Sequence, residues 1–374
     1  MTTRERVIKT LNHQEPDVIP IDIGSTGATT LLIPTYENLK RHLGFDGPIQ
    51  VMSPEFHMAM IDEEVLQKLH IGLRCLRLGR PPIAKKVAGE DYFTNEWGIT
   101  YYKPAGGLYY DISIFPLSEA SSLEDIEKYP FPDPTNSSLY EDLEARALYL
   151  YHQTDYAIIA EPGSSIFEQA WYLRGFENIF NDMYFNKKLL HALLRKITDI
   201  NLEKARRFLD IAADYIQVYF VGDDLASQNG PLMSISMYRE FIKPYQAELY
   251  AYIRKQTNAK IAYHSCGSIV HLLPELIDIG VEAINPVQVS AKNMDTKDLK
   301  REFGKDLCFW GAIDTQKILP YGNEKEIEYE VKKRIDDLAP GGGYILAAVH
   351  AIQPDVSPEN ILFMLKYAEE YGKY

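Results

Sequence analysis

Short apolar runs alternate with amphipathic segments along most of the chain. The amphipathic segments repeat with the helical period of about 3.6 residues, whereas the apolar runs have the length of buried strands. The candidate strands lie at residues 18–22, 71–76, 157–160, 215–221, 260–264, 281–284, 307–312 and 344–349. Because parallel strands that alternate with helices form α/β folds, and eight such units close on themselves, the pattern predicts a (β/α)8 barrel, or TIM barrel.

Residues 92–117 interrupt this alternation. Here polar residues alternate with apolar or aromatic ones, on either side of Gly106 and Gly107, with the period of two that is typical of strands. The segment therefore predicts a small antiparallel hairpin insertion beside the barrel. We expect the whole chain, residues 1–374, to form one domain of this kind.

Composition and charge narrow the classes of partner. With 374 residues, of which 46% are hydrophobic, the chain can bury a large core. Its net charge of -14 and the lack of a basic run disfavour nucleic acid and anionic membranes as partners. The amino terminus is polar, and no window approaches the roughly 20 apolar residues of a membrane-spanning helix, so we expect a cytoplasmic protein.

Polar side chains stand at or just past the ends of the candidate strands. They are Asp22, Glu161, Asp223, Asp224, His264, Cys266, Asn285 and His350. In a TIM barrel the carboxyl ends of all strands meet on one face, and this carboxyl face carries the active site. An alternative for the acids is that they cap the helices that follow, which would leave the His and Cys residues unexplained.

His264, Cys266 and His350 have the chemistry of a metal site. His264 and Cys266 are two positions apart at the end of an extended run, so their side chains can point to the same face. Zinc accepts imidazole nitrogen and thiolate sulfur together, and a catalytic zinc needs three protein ligands and an open position. His350 is the predicted third ligand, with Glu161 as the first replacement to test. The alternative is a buried histidine beside a packed thiol.

Several blocks, taken in order, make the chain resemble the uroporphyrinogen decarboxylase superfamily, and within it the cobamide-dependent methyltransferase branch. The blocks are residues 4–7, 12–17, 95–98, 129–134, 173–177, 222–225, 264–268 (His-Ser-Cys-Gly-Ser), 310–314 and 358–361. Methyltransferases of this type are TIM barrels that hold zinc through a His-x-Cys pair and a later Cys after a Gly-rich turn. The resemblance implies His264 and Cys266 as zinc ligands, with His350 in the place of the later Cys.

This departure from the family pattern changes the expected substrate. A site with fewer thiolates leaves the ion more positive, and a stronger Lewis acid suits an ether oxygen better than a thiol. Uroporphyrinogen decarboxylases carry an early arginine-rich segment that meets the carboxylates of their substrate. Residues 21–27 contain no Arg or Lys, so a polycarboxylate would find little charge compensation there.

The expected activity is that of the substrate-side methyltransferase of an anaerobic O-demethylase system. The zinc would polarise the oxygen of a methoxylated compound, preferably aromatic, and the methyl group would pass to the cobalt(I) of a corrinoid. We expect the corrinoid on a separate protein, because the chain has no Asp-x-His-x-x-Gly motif. A carboxylic acid among Glu161, Asp223 and Asp224 would protonate the leaving oxygen.

Five further residues are expected to contact the substrate. Asp22 and Asn285 stand at strand ends, and Trp97, Tyr101 and Tyr109 in the insertion offer flat apolar faces with polar edges for stacking on a ring. The alternative for each aromatic residue is that it packs the insertion onto the barrel.

Other activities stay open at this point. The methyl group could belong to a thiol or an amine, or the protein could be a metal-free decarboxylase in which Asp22 protonates an electron-rich ring. A non-enzymatic binding protein of a corrinoid system is a further alternative, and a homo-oligomer is compatible with the sequence. Metal content separates the methyltransferases from the decarboxylase.

Overall fold

The computed structural model describes residues 1–79, the backbone of residues 85–86, and residues 91–374. Its strands are β1 (Gln50–Ser53), β2 (Met58–Met60), β3 (Leu73–Leu76), β4 (Lys85–Lys86), β5 (Tyr92–Thr94), β6 (Thr100–Tyr102), β7 (Asp111–Ile114), β8 (Ala157–Ala160), β9 (Val218–Gly222), β10 (Ala226–Ser227), β11 (Gly230–Pro231), β12 (Lys260–His264), β13 (Ala283–Asn285), β14 (Cys308–Ile313) and β15 (Tyr344–Ala348). Its α-helices are α1 (Thr3–Leu11), α2 (Ile33–His42), α3 (Glu63–Lys68), α4 (Leu123–Lys128), α5 (Leu143–Gln153), α6 (Phe167–Arg174), α7 (Phe176–Phe185), α8 (Lys187–Ala212), α9 (Ile235–Met237), α10 (Lys243–Gln256), α11 (Leu273–Asp278), α12 (Thr296–Phe303), α13 (Ile318–Tyr321), α14 (Glu324–Leu338) and α15 (Pro358–Tyr371).

Seven of these strands form one parallel sheet. Its hydrogen-bonded neighbours are, in order, β15, β14, β13, β12, β9, β8 and β3. Every pairing in this sheet is parallel, and every strand overlaps a run predicted from the sequence. The predicted order of strands and helices in the α/β barrel is therefore confirmed.

The predicted first strand, residues 18–22, forms a bridge instead of a regular strand. Ile21 makes a single parallel bridge with Leu346 of β15, and the Asp22 N–H donates to the Leu346 carbonyl at 2.9 Å. The Pro20 carbonyl accepts the Leu346 N–H at 2.9 Å, but proline has no N–H with which to extend a ladder. The segment thus occupies the eighth barrel position, beside β15, as irregular backbone.

Inward-facing side chains from all seven strands share one buried cluster. Alanines from four of the strands lie beside the large rings of Phe220 and Trp310. The members of this cluster, which we call the barrel cluster, are Val7, Leu11, Ala28, Leu73, Ala157, Ile159, Val218, Phe220, Ala262, Ala283, Cys308, Trp310, Ile345 and Ala347. A cluster that draws on every strand requires the sheet to curl around it, and this brings the carboxyl ends of the strands to one face.

Helix α1 covers the amino end of the barrel. Val7 and Leu11 belong to the barrel cluster, and the Thr10 carbonyl accepts the Gly343 N–H at 3.0 Å. From the same helix, the Arg4 guanidinium donates to four backbone carbonyls at and after the end of α5, at 2.9 to 3.0 Å. These carbonyls have few other partners at a helix end, so Arg4 fixes α1 against α5.

The antiparallel insertion is confirmed as a sheet with the order β4, β5, β6, β7. It reaches the carboxyl face, because the Tyr109 hydroxyl donates to Gln353 Oε1 in the loop after β15. The Tyr110 N–H donates at 3.1 Å to the carbonyl of Glu55, which lies in the turn between β1 and β2. That second hairpin was not predicted, because its strands are too short and its register too irregular to show a period of two.

The helices surround the sheet. A π-helical turn, Tyr238–Ile242, precedes α10, and Pro244 lies in the first turn of α10, where its missing N–H costs no hydrogen bond. Among the described helices, none combines the length and the apolar character that crossing a bilayer requires.

We expect Arg4→Lys to lower the free energy of unfolding by about 1–3 kcal/mol, because one ammonium group cannot serve the carbonyls that the guanidinium reaches. Urea denaturation followed by circular dichroism measures the change. Arg301→Lys is the matched control, since Arg301 is an exposed residue of α12 that pairs with Asp298 and Glu302 on its own helix. An equal loss in both variants would contradict the role given to Arg4.

Candidate metal centre

His264 and Cys266 come from the carboxyl end of β12. His264 ends the strand and shares its inward face with Ala262 of the barrel cluster, and Cys266 is two positions further along. The Cys266 Sγ lies 3.7 Å from His264 Nε2. Tetrahedral zinc bound to one sulfur and one nitrogen would separate these atoms by about 3.5 Å, so the pair has the spacing of two ligands of one ion.

His350 brings a third donor to the same place. It follows β15, and one ligand atom from each of His264, Cys266 and His350 lies within 4.8 Å of the other two. The two imidazole rings have their centroids 5.7 Å apart and are inclined at 61°. We call these three residues the metal triad. Two imidazole nitrogens and one sulfur are a donor set that zinc accepts, so the residues present fit this ion.

Asn285 fixes the orientation of His264. The two residues are direct neighbours across β12 and β13, and Asn285 Oδ1 lies 2.7 Å from His264 Nδ1. The amide oxygen can only accept, so Nδ1 carries the proton and Nε2 presents its lone pair toward Cys266. Asn285 is fully buried, and its amide nitrogen donates to the Trp310 carbonyl at 3.4 Å. It was predicted to contact the substrate; the structure places it against a triad histidine.

The loop that carries Cys266 is held by close backbone packing. Gly267 has φ +89°, and a Cβ there would lie 2.6 Å from the Ser227 carbonyl oxygen. The Gly267 N–H donates to Gln288 Oε1 at 2.6 Å, and the Ser265 hydroxyl accepts the Leu225 N–H at 3.0 Å. Only glycine adopts this conformation and this approach without strain, which keeps Cys266 in position.

Burial sets the protonation of the metal triad. It lowers the pKa of His350 to about 4, with His264 adding to the effect and Asp224 opposing it. His350 is therefore neutral at neutral pH and has a lone pair to offer. Burial, followed by the charges of Asp224 and Glu168, raises the pKa of the Cys266 thiol above its usual range. A cation at the triad would reverse this shift, because thiolates bound to metal ions are stabilised by the positive charge.

Asp223 and Asp224 follow β9 and have different surroundings. Asp224 Oδ1 accepts the Cys266 N–H at 2.7 Å and lies 3.8 Å from His264 Nε2, so this acid borders the triad. Asp223 is buried, and its Oδ1 accepts the N–H groups of Ile166 and Glu168, each at 2.9 Å. Burial raises the pKa of Asp223 to about 7. Its contacts are those of a cap on α6, which precedes Asp223 in the chain, instead of a cap on the helix that follows it.

Glu161 and Asp22 lie in a second polar group on the carboxyl face. Glu161 Oε2 accepts from Arg77 Nε at 2.5 Å, and its Oε1 accepts the Gly27 N–H at 3.0 Å. Asp22 is buried and accepts from the Ser25 hydroxyl at 2.7 Å and from Trp310 Nε1 at 3.1 Å. Burial raises the pKa of Asp22 to about 6. Neither acid is among the residues that the structure brings together with the metal triad.

Two residues of α6 reach this region that the sequence analysis did not select. The Tyr172 hydroxyl donates to Glu168 Oε1 at 3.1 Å. Burial, then the charges of Asp224 and Asp223, raises the pKa of Glu168 well above its usual range. Glu168 lies inside a helix pattern instead of at a strand end. A signal was present, because the first turn of a helix after a barrel strand also faces the carboxyl face.

The three aromatic residues chosen from the insertion have different neighbours. Trp97 is buried, and its indole meets the ring of Phe131 edge to face at 6.3 Å, which is a packing contact. Tyr101 is buried and stacks on Phe93 at 5.1 Å. Tyr109 is 36% exposed and bonds to the loop that follows His350. Tyr109 thus approaches the site from the insertion, whereas Trp97 and Tyr101 pack against neighbouring rings.

Comparison with known proteins identifies a matching protein family and several relatives. The family described as uroporphyrinogen decarboxylase (URO-D) matches residues 113–371. Uroporphyrinogen decarboxylase from Chlorobium phaeobacteroides is 28% identical over 194 residues, which cover 50% of this chain and 51% of that protein. The protein of the same name from Geobacillus kaustophilus is 24% identical over 257 residues, which cover 67% and 69%. The chain spans about half the length of this Chlorobium protein and of several other curated relatives that it matches.

A solved structure, a methyltransferase from Methanosarcina mazei, has the same fold. The two structures superpose with a TM-score of 0.71 over 99% of this chain and 99% of that chain, at 17% sequence identity. This likeness concerns the course of the backbone. The family match, by contrast, includes every strand from β8 to β15 and so contains all three residues of the metal triad.

We expect the purified protein to bind about one zinc ion, and Cys266→Ser and His350→Ala to lose it while their circular dichroism spectra stay unchanged. The reason is that the barrel is formed independently of the ion. Elemental mass spectrometry of dialysed protein measures the content. Cys308→Ser is the control, since Cys308 is buried at the amino end beside Thr10. Full zinc content in His350→Ala would require another third ligand, and Asp224 would then be tested before Glu161 because it borders His264.

We expect Asn285→Ala to weaken zinc affinity about 10- to 100-fold, because His264 loses the acceptor that fixes its tautomer and orientation. Competition with a chromophoric chelator measures the affinity. Asn285→Asp is the matched variant: it keeps an acceptor at the same atom and should bind zinc at least as tightly as the wild type. Equal weakening in both variants would show that the effect comes from repacking around β13.

Proposed function

The chain belongs to the uroporphyrinogen decarboxylase family, and we propose that within this family it is a zinc-dependent methyltransferase. It moves a methyl group from a methoxylated aromatic substrate to the cobalt of a corrinoid carried by a separate protein. The observation that carries the proposal is the convergence of His264, Cys266 and His350 on the carboxyl face of the barrel.

The donor set of the metal triad favours an ether as the source of the methyl group. Zinc bound by two neutral imidazoles and a single thiolate would keep more positive charge than in a thiolate-rich site, and would act as a Lewis acid on the ether oxygen. The protein contributes the geometry: Asn285 holds His264 in one tautomer, and Asp224 holds the Cys266 backbone. Asp224 also places negative charge where it offsets that of the cation.

The surroundings of Asp22 argue against the decarboxylase alternative. A metal-free decarboxylase would need Asp22 to reach its substrate, but the carboxylate is 1% exposed and is enclosed by Ser25 and Trp310. Arg77, a cation in the same polar group, already pairs with Glu161 at 2.5 Å. A substrate with many carboxylates would have to displace this pair, which disfavours it.

The insertion supports an aromatic substrate. Tyr109 bonds to the loop that starts at His350 and so approaches the carboxyl face. Tyrosine supplies an apolar ring face with a polar edge, which suits contact with a methoxylated ring. Cover from the insertion would also exclude water, and this strengthens electrostatic interactions inside the site.

We expect the zinc-loaded protein, mixed with a methoxyaromatic compound and a reduced corrinoid protein from an O-demethylating organism, to form methylated corrinoid and the corresponding phenol in equal amounts. Corrinoid absorbance and chromatography of the phenol measure the two products. Cys266→Ser should lower the rate at least about 100-fold, because several kcal/mol of charge stabilisation are lost with the ion. Cys308→Ser is the active control.

The same assay separates the alternatives. Transfer from methylated thiols or amines, with ethers inert, would assign another methyl donor. Release of carbon dioxide from uroporphyrinogen without methyl transfer would sink the methyltransferase proposal.

We expect Tyr109→Leu to raise the Michaelis constant for the methoxy substrate several-fold with little change in melting temperature. Leucine keeps apolar bulk but removes the ring and the hydroxyl that bonds to Gln353. Trp97→Leu is the matched comparison and should do the reverse, because Trp97 packs against Phe131 inside the insertion. If neither variant changes substrate affinity, the insertion serves as scaffold or docking surface.

A further inference from the structure

Glu168 occupies a fixed place on the carboxyl face that the mechanism above does not use. It lies in the first turn of α6, and its own N–H donates to Asp223 Oδ1 at 2.9 Å. The Ile166 N–H donates to the same oxygen at 2.9 Å, while Gln246 Nε2 donates to Asp223 Oδ2 at 2.8 Å. The buried Asp223 therefore anchors the start of α6 and, with it, the position of Glu168.

The side chain of Glu168 has a phenol as its neighbour. The Tyr172 hydroxyl, one helical turn further along, donates to Glu168 Oε1 at 3.1 Å. Glu161, in contrast, is held by the guanidinium of Arg77 at 2.5 Å. A carboxylate beside a cation keeps its charge, whereas a partly buried carboxyl group beside a neutral phenol and other acids retains its proton more readily.

Glu168 lies between the metal triad and the insertion. On one side, the N–H of Asp223, which anchors Glu168, donates to the His264 carbonyl at 3.1 Å, and the neighbouring Asp224 lies 3.8 Å from His264 Nε2. On the other side α6 meets the end of the insertion, where the Leu117 N–H donates to the carbonyl of Leu173, the residue after Tyr172, at 2.9 Å. An ether whose oxygen meets the triad and whose ring meets the insertion would therefore have Glu168 at its flank.

We propose that Glu168 is the catalytic acid that protonates the leaving oxygen, and that Tyr172 is a positioning residue that holds its carboxyl group. This inference rests on the proposed function. The methyl–oxygen bond breaks with its electron pair left on oxygen, and the methyl carbon bonds to the cobalt(I) of the acceptor through the cobalt electron pair. The proton of Glu168 passes to the oxygen, so the products are a phenol and a carboxylate that is reprotonated from solvent.

The other acids on this face are engaged elsewhere. Both carboxylate oxygens of Asp223 accept hydrogen bonds, one from the start of α6 and one from Gln246. Both oxygens of Glu161 also accept, one from Gly27 and one from Arg77. Asp224 accepts the Cys266 N–H and fixes the ligand loop. Among these candidates, Glu168 combines a neutral partner with a position beside the triad, which is what proton transfer to a leaving oxygen requires.

The kinetic test uses a series of aryl methyl ethers whose phenols differ in acidity, with reduced corrinoid protein as acceptor. Glu168→Gln should lower kcat about 10²- to 10⁴-fold for an unactivated ether and progressively less as the phenol becomes more acidic. KM and zinc content should stay near wild type. Tyr172→Phe should show a smaller loss with the same trend. Glu177→Gln, an exposed acid on α7, is the matched control and should behave as wild type.

A second readout needs neither metal nor turnover. Metal-free wild-type protein is titrated with 4-nitrophenol at a pH slightly above the pKa of the free phenol, where the ligand is mostly the yellow phenolate. Protein with a protonated Glu168 should bind it as the colourless phenol, whereas Glu168→Gln should leave the bound ligand yellow. Absorbance against protein concentration gives both the affinity and the protonation of the ligand.

Each contrary result has its own meaning. Unchanged kcat in Glu168→Gln, or an equal loss across the ether series, would overturn the role as proton donor, as would loss of zinc, which would make Glu168 a ligand. If 4-nitrophenol bound to wild-type protein stays yellow, this result would also contradict a protonated Glu168. If wild-type enzyme transfers no methyl group from any ether, the proposed function itself fails, and this inference fails with it.

Discussion

The filling of the barrel beneath His264 is the constraint on which the site depends. Trp310 is fully buried, and its ring meets Phe220 edge to face at 5.8 Å, while Phe220 lies 6.2 Å from the ring of His264. Trp310 Nε1 also donates to Asp22 Oδ2, which ties the irregular eighth position of the barrel to the same core. Because packed rings compress little, they set how closely the ends of β12 and β15 approach.

The acids on the carboxyl face differ in role because their partners differ. A carboxylate that accepts backbone N–H groups organises a helix or a loop, as Asp223 and Asp224 do. A carboxylate beside a guanidinium forms an ion pair, as Glu161 does with Arg77. Glu168, whose carboxyl group accepts from the Tyr172 phenol, is the acid in this group that we propose as the proton donor.

Much of the fold and the triad could be predicted from the sequence, because both depend on local patterns. A buried parallel strand is a continuous apolar run, and a polar side chain at its end is visible as a break in that run, as with His264 and His350. The prediction of a regular first strand was wrong, because the apolar pattern does not reveal that Pro20 lacks the N–H that a ladder needs.

Contacts between segments that are distant in sequence could not be predicted from these local patterns. The bond from Asn285 to His264 depends on the register of β12 against β13, which the apolar pattern does not encode. Tyr172 and Glu168 read as ordinary residues of an amphipathic helix, and only the arrangement of α6 around Asp223 reveals their position.

The loop after β15 joins a triad residue to the insertion within a few positions. His350 is at the start of this loop, and Gln353 in the same loop accepts a hydrogen bond from the Tyr109 hydroxyl. Ordering this loop at one end would lower the entropy that remains to be lost at the other, so binding of the proposed ion and contact with the insertion would be thermodynamically linked. By reciprocity, a substrate that holds the insertion against this loop would raise the affinity for the proposed ion by the factor by which the ion raises the affinity for that substrate.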